Sequence, residues 1–254
     1  MMVKERDVQA RFGRAADLYA TSTVHARGAD LGLAVQFARP QPEDVALDVS
    51  TGAGHMAMAL APHVARVVAI DLTPQMLAVA RHLAAERGLR NVEFQEADAR
   101  ALPFGNGSFD LVTCRMAAHH YPRLEDAVRE MARVLRPGGR LVVSDTVPPA
   151  DEVADRFINA VEALRDPTHV RDWSVAEWRA AFSGAGLAIE ACEEIELELE
   201  FEPWVERSGT PPELRQVLAV MLTQAPPRLR ELFAVKANPL RFSLRRAVFL
   251  AIRT

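Results

Sequence analysis

Residues 47–60 read LDVSTGAGHMAMAL, and this stretch decides the fold. Val45, Leu47 and Val49 alternate with their neighbours and lead into Ser-Thr-Gly-Ala-Gly, after which helix formers run on. The pattern predicts a strand, a tight glycine turn and the opening of a helix. Glycine has no Cβ to hold a ligand away and tolerates positive φ, so such a turn brings backbone N–H groups close to a bound nucleotide. Gly52-x-Gly54-x-x-Ala57 also matches the nucleotide-binding fingerprint with its permitted final alanine.

Downstream, the same alternation of strand and helix continues. RVVAID (66–71) reads as a second strand ending on an acid. TPQMLAVARHLAAERG (73–88) reads as a helix, with Thr73 as N-cap, Pro74 in the first turn and Gly88 at the C-cap. NVEFQEAD (91–98) and SFDLVTCR (108–115) read as the third and fourth strands. Leu124, Ala127, Val128, Met131, Val134 and Leu135 recur at helical spacing, and Pro137-Gly138-Gly139 stops that helix before the strand RLVVSD (140–145). Five strands alternating with helices predict an α/β fold: a doubly wound, Rossmann-like, mostly parallel sheet with right-handed crossovers. Ligands in such sheets bind at the carboxyl ends of the strands.

After Asp145 the pattern changes. Helices are expected within 148–167 and 174–186, the second capped by Ser174, followed by a long strand over 187–203. Residues 204–235, punctuated by Pro211, Pro212, Pro226 and Pro227, read as short cap helices, and 240–254 as an antiparallel C-terminal strand. The acidic run EEIELELE (193–200) fits the wet face of a strand. Residues 4–38 hold two helical stretches, read as a lid. No glycine-rich linker divides the chain, so one domain over 1–254 is expected: a lid over 1–40, a nucleotide-binding core over 45–146, and cap helices with the last two strands over 147–254.

Composition narrows the partners. The 254 residues carry a net charge of −4 and no basic stripe, which argues against nucleic acid. Cys114 and Cys192 are far apart and form neither a metal-binding nor a redox spacing, so a cytoplasmic, reduced protein is expected. The N-terminal residues lack the apolar stretch of a signal peptide, and no apolar segment reaches the length of a membrane span.

Which nucleotide the loop holds turns on the rest of the chain. Asp71 lies 17–19 residues beyond the two glycines, close to the ~20 expected of an acid that grips a ribose. A nicotinamide enzyme would continue in βαβ units, whereas here the alternation stops after the fifth strand. Neither Tyr19 nor Tyr121 has a lysine four residues on, so there is no YxxxK dyad to assist hydride transfer.

Four segments in order then carry a resemblance: LDVSTGAG, VVAIDLTPQML, EADARALPFGNGSFDLVTCRMAAHHY and VLRPGGRLVVSD. Over residues 45–146 the chain resembles class I S-adenosylmethionine (SAM)-dependent methyltransferases. Its TGAGH, CRMAAHH and LRDPTHVR stretches are similar to the bacterial YcgJ-type branch, beside the ubiquinone/menaquinone biosynthesis methyltransferases. The family usually has glycine where this chain has Ser50.

The resemblance implies SAM as cofactor, S-adenosylhomocysteine as product and a small-molecule acceptor methylated by in-line displacement. It also implies that Asp48, Ser50, Gly52 and Gly54 hold the methionine side, that Asp71 takes the ribose with Leu72 on the adenine face, and that Asp98 and Ala99 take the adenine. Arg115 falls beneath the sulfonium, with a structural ion pair as its alternative. His119 and His120 are the catalytic candidates, in the loop that faces the transferring methyl. Tyr121 follows them, and Tyr19, His25, His169 and Trp173 are candidates to line the substrate pocket. No metal is expected, because Asp145 alone does not supply the carboxylates a divalent ion needs. Two other readings stay open: an NAD(P)-dependent oxidoreductase on a Rossmann fold, and a SAM-binding protein without turnover.

Overall fold

The computed structural model describes residues 9–13, 26 and 28–254. Five parallel strands form one half of an eight-stranded sheet: β1 (Val45–Val49), β2 (Arg66–Asp71), β3 (Val92–Glu96), β4 (Phe109–Arg115) and β5 (Leu135–Val147). The other half is built from β6 (Leu187–Glu200), the two-residue β7 (Lys236–Ala237) and β8 (Leu240–Arg253). The order is β3-β2-β1-β4-β5-β8-β6, with β8 antiparallel to both β5 and β6 and with β7 paired to its start. The strand order reverses direction beside β1, between β1 and β4, so the glycine loop opens at the switch point where ligands bind in this architecture.

The period-two alternation of side chains divides the core into two layers. Leu47, Val68, Val112, Leu141 and Phe249 point to one face, under α4 (Leu124–Val134) and α6 (Val175–Gly184). Ala46, Val67, Leu111, Val142 and Val248 point to the other, under α1 (Ala29–Ala38) and α2 (His55–Leu60). Between β2 and β3 runs α3 (Pro74–Glu86), and α5 (Glu152–Arg165) follows β5. The largest fully enclosed side chains include Trp178, Phe182 and Phe249, in mutual ring contact. Each such side chain contributes about 1.5–3 kcal/mol by leaving water.

A second, smaller core stands on the ends of β6 and β8 that extend beyond β5. Here α7 (Phe201–Arg207), α8 (Pro212–Thr223) and α9 (Pro227–Leu232) bury Trp204, Leu218 and Leu229 against Phe242, Leu244 and α5. These are the short cap helices read from the proline-punctuated segment.

Several boundaries differ from the sequence reading, each for a local reason. Residues 201–203 open α7 instead of closing the strand, since Pro203 is tolerated in a first helical turn. Leu135 already pairs with Phe109, so Pro137-Gly138-Gly139 lies inside an irregular start of β5 rather than before it. Thr73 makes no side-chain cap; its backbone N–H donates to Asp71 Oδ1 at 2.8 Å instead. Ser174 caps as expected, in a reciprocal capping box with Glu177. The stretch 29–38, read as part of a lid, is α1 and lies against the sheet with Ala34 and Ala38 fully buried. Residues 9–13 do lie across the strand ends: Gln9 Nε2 donates to the Leu72 carbonyl at 2.7 Å and Arg11 pairs with Asp166 at 2.9 Å.

Candidate active site

A cleft of about 1160 Å³, counting the solvent at its mouth, opens at the carboxyl ends of β1 to β4. Its walls carry Asp48, Ser50, Gly52, Asp71, Leu72, Asp98, Ala99, Arg115, His120 and Tyr121. The strand ends therefore gather residues that lie up to 73 positions apart in the chain, from Asp48 to Tyr121.

Asp48 is buried and accepts hydrogen bonds from Thr51 Oγ1 (2.6 Å), the Ala57 N–H (3.1 Å) and Thr113 Oγ1 (2.7 Å). It pins both ends of the glycine loop to β4. Burial pushes its carboxyl up to about 6 despite these donors. Asp71 spans the next gap: Oδ2 accepts the Gly52 N–H at 2.8 Å and Oδ1 the Thr73 N–H at 2.8 Å. The Thr73 side chain and the Leu72 N–H also hold this carboxylate, burial still pushes its pKa up, and it lines the cleft.

Gly52 has φ +55° and open space where a Cβ would stand, on the cleft wall, which is the cradle a close-lying ligand requires. Gly54 differs from the expectation for it. It is not on the cleft wall; with φ +82° it N-caps α2, and a Cβ there would meet the Ala80 Cβ at 3.0 Å. Its smallness serves helix packing.

Asp98 lies on the wall, but its carboxylate is already held by the Arg100 side chain at 2.6 and 3.0 Å and by the Arg100 N–H at 2.8 Å. Burial works against its charge, and Arg100 outweighs burial and holds it below the usual carboxylate range. Arg115 lines the cleft and also realises its ion-pair alternative. Its Nε and Nη2 donate to Asp30 at 2.6 and 3.0 Å. The same carboxylate pairs with Arg246 at 2.8 Å and accepts from Ser144 Oγ at 3.1 Å. This knot of Asp30, Arg115 and Arg246 was invisible in the sequence, because a lone acid on a short, mostly apolar helix carries no signal of which distant cations will meet it.

Tyr121 reaches the cleft with its hydroxyl engaged by Ser50 Oγ at 2.7 Å and Cys114 Sγ at 3.4 Å. It thus holds the glycine loop from the β4 side.

The two adjacent histidines part company. His119 Nδ1 lies 2.7 Å from Asp145 Oδ1, at the end of β5. Burial works against its charge, but Asp145 beside it lifts its pKa to about 9. His120 rests on the Thr168 carbonyl at 3.0 Å and on the Phe12 ring edge-to-face at 5.0 Å. Burial, with the charge on His119, pushes His120 down to about 4. His120 lines both the cleft and a second chamber beyond it, whereas His119 lines only the second.

His169 and Trp173 line neither cavity. His169 Nε2 meets Asn159 Oδ1 at 3.1 Å and its ring stacks on His119 at 5.9 Å; the Trp173 indole donates to the Ala118 carbonyl at 3.1 Å. They buttress the histidine loop from behind and are not pocket walls. Tyr19 and His25 lie outside the described residues. Missed by the sequence reading were Phe12, Asp30, Asp172 and Arg246, together with the pairing of Asp145 to His119, although an acid closing the fifth strand was already on view. Among the described residues no group of three or more His, Cys, Asp or Glu side chains could hold a metal ion, and no helix is long and apolar enough to cross a membrane.

A glycine loop clasped by two strand-end acids, at the switch point of a sheet ordered 3-2-1-4-5 with an antiparallel closing pair, defines a Rossmann-like nucleotide-binding enzyme class. Residues 47–143 match the family model described as methyltransferase domain. Over 246 residues the chain is 39% identical to the uncharacterized methyltransferase YcgJ of Bacillus subtilis, covering 95% of this chain and 97% of that one. The crystal structure of YcgJ superposes with a TM-score of 0.84 over 88% and 97% of the two chains. A solved protein of Bacillus halodurans C-125, 34% identical, gives a TM-score of 0.86 over 89% and 99%. Demethylmenaquinone methyltransferase of Thermus thermophilus is 46% identical over 127 residues, 48% of this chain and 57% of that one. The chain belongs to this methyltransferase family.

Proposed function

We propose that the protein binds SAM in the strand-end cleft and transfers its methyl group to a small-molecule acceptor in the cytoplasm. The observation that carries this is the bridge from Asp71 to Gly52. One carboxylate fixes the loop through a backbone N–H and lines the cleft, where it can meet a ribose. When bound, SAM supplies a methyl carbon on a sulfonium, already activated for displacement.

The chain's own part is placement, which supplies ~7–11 kcal/mol of such barriers. Gly52 admits the methionine end, Asp71 takes the ribose, and Leu72 with Ala99 flanks the base. Residues 9–13 and the cap shield the site from water. His119, tied to Asp145 and kept protonated by it at neutral pH, is the group poised to hold a proton at Nε2. His120, with its lowered pKa, stays neutral and shapes the boundary between the two cavities. The net charge of −4 and the absence of a basic stripe in the sequence support a small acceptor over nucleic acid.

Isothermal titration tests the cofactor assignment. S-adenosylhomocysteine should bind at micromolar level and NADH should not, and Asp71→Ala should abolish binding. NADH binding alone, or full affinity in the variant, would overturn the assignment.

A further inference from the structure

Past Phe12, Met116 and His120, which line both cavities, the cleft adjoins a second chamber of about 600 Å³ with its solvent. One side is apolar: Leu197, Leu199 and Leu244 from the extended strands, and Trp204 from α7. The polar side stands next to the cofactor cleft. Its Arg246 shares the Asp30 carboxylate with Arg115, a cleft-wall residue, and its His119 adjoins His120 in the chain. Two enclosed polar atoms on this side have no hydrogen-bond partner among the described residues: Nε of Arg246, a residue 3% exposed, and Oδ2 of Asp172, a residue 2% exposed. Enclosed polar groups left unpaired are costly to the protein, and in a cleft they mark a site that a ligand completes.

The charges around these two atoms have one sign in excess. Glu162 is paired with Arg165 at 2.7 Å, Asp166 with Arg11 at 2.9 Å and Asp145 with His119 at 2.7 Å. Asp30, by contrast, serves two guanidiniums, Arg115 at 2.6 Å and Arg246 at 2.8 Å, so that knot holds one more cation than carboxylates. Asp172 adds no countercharge. Burial, with Glu162 near it, pushes its carboxyl well above the ordinary range, and it stands as a neutral acid with an O–H to donate. His119 spends Nδ1 on Asp145 and, already protonated, keeps an Nε2–H to donate. The polar side thus presents donors and a surplus of positive charge, with its carboxylates engaged and its His119 unable to take a proton.

We propose that this chamber seats the methyl acceptor, and that the acceptor is a carboxylic acid on an apolar body, bound as its carboxylate on the donors of the polar side. The apolar side takes the rest of the molecule. A carboxylate is already ionised at neutral pH, so its methylation asks no base of the wall. An oxygen lone pair takes the methyl carbon as the carbon–sulfur bond breaks, and the products are the methyl ester and S-adenosylhomocysteine. With about four acceptor sites, a carboxylate held by donors still presents a free lone pair. An anion is also the charge that a bound sulfonium favours beside it. The inference rests on the methyltransferase reading above.

The test uses the full chain saturated with S-adenosylhomocysteine and titrated calorimetrically with phenylacetate and, separately, its neutral isostere phenylacetamide. Phenylacetate should bind at least about tenfold more tightly than the amide, the difference made by charge-assisted contacts. Arg246→Gln should remove that preference, and Asp172→Asn, which keeps a neutral donor, should retain it. Leu199→Trp, which fills the apolar side, should block both probes, with S-adenosylhomocysteine affinity as the check on folding. Should Arg246→Gln not fold, the wild-type comparison and the other two variants decide. With SAM in place of the product, bound phenylacetate should leave as its methyl ester. The acceptor proposal is overturned if the cofactor product binds but phenylacetate does not, or if the amide binds equally well. It is also overturned if Asp172→Asn tightens phenylacetate binding, which would make Asp172 an anion, or if bound phenylacetate yields no ester. Failure of S-adenosylhomocysteine itself to bind is a separate result and overturns the cofactor assignment.

Discussion

Ser50 has a φ of 52°, in the left-handed region that side chains other than glycine seldom occupy. A Cβ in that conformation costs about 1–3 kcal/mol. What offsets it is local: Ser50 Oγ and Tyr121 OH lie 2.7 Å apart. The pair forms a latch between the loop after β1 and the turn after β4, and a two-by-two set of variants tests it. Tyr121→Phe should weaken S-adenosylhomocysteine binding several-fold, and Ser50→Gly should be close to neutral. The double variant should recover most of the lost affinity. Additive losses would show that Tyr121 acts through the ligand instead. Cys114, whose Sγ meets the same hydroxyl, is held unreactive by burial, which pushes its thiol far up.

The turn from α4 into β5 shows how much a single element depends on one small residue. A Cβ on Gly139 would stand 2.8 Å from the Arg136 carbonyl oxygen and 3.2 Å from that of Asp110. Both are backbone atoms that cannot swing aside. Gly139→Ala should therefore lower stability by about 1–3 kcal/mol in chemical denaturation, whereas Gly138→Ala strains only its own φ of +75°. Elements of this kind were legible because their signals are local. The glycine loop, the Ser174 cap and the Leu124–Leu135 stripe each announce themselves within a dozen residues. Asp71 was legible for a similar reason, since its distance from the glycines is fixed by one strand and one helix. Contacts between distant segments were not. Nothing near Asp30 announces that Arg115 and Arg246 will meet on it, and nothing near His169 announces that its ring will face the back of His119 rather than a ligand. The sequence also cannot separate Gly52, which lines the cleft, from Gly54, which sits against Ala80.

Taken over the whole molecule, the buried ionisable groups give stability a definite pH profile. The folded-state pKa of His119 lies at about 9, above the ordinary 6.5. Its contribution is therefore fully present below about pH 6.5 and is lost as pH rises through about 9. Asp48 acts in the same sense at lower pH. Its raised value means stability declines as pH climbs from the ordinary carboxylate range through about 6. Melting temperature measured against pH should fall between about 6.5 and 9, and His119→Gln should flatten that limb. A profile that rises there would contradict the Asp145 pairing. The extended antiparallel pair of β6 and β8 has a different consequence. The family model ends at residue 143, before either strand begins, whereas the apolar wall of the second chamber comes from Leu197, Leu199, Trp204 and Leu244. Most of the strand-end cleft and the apolar wall of the second chamber are thus drawn from separate stretches of the chain, with Phe12, Met116 and His120 lining both cavities. On the proposed function, grafting residues 197–244 between relatives should change which small molecule is methylated while leaving S-adenosylhomocysteine affinity unchanged.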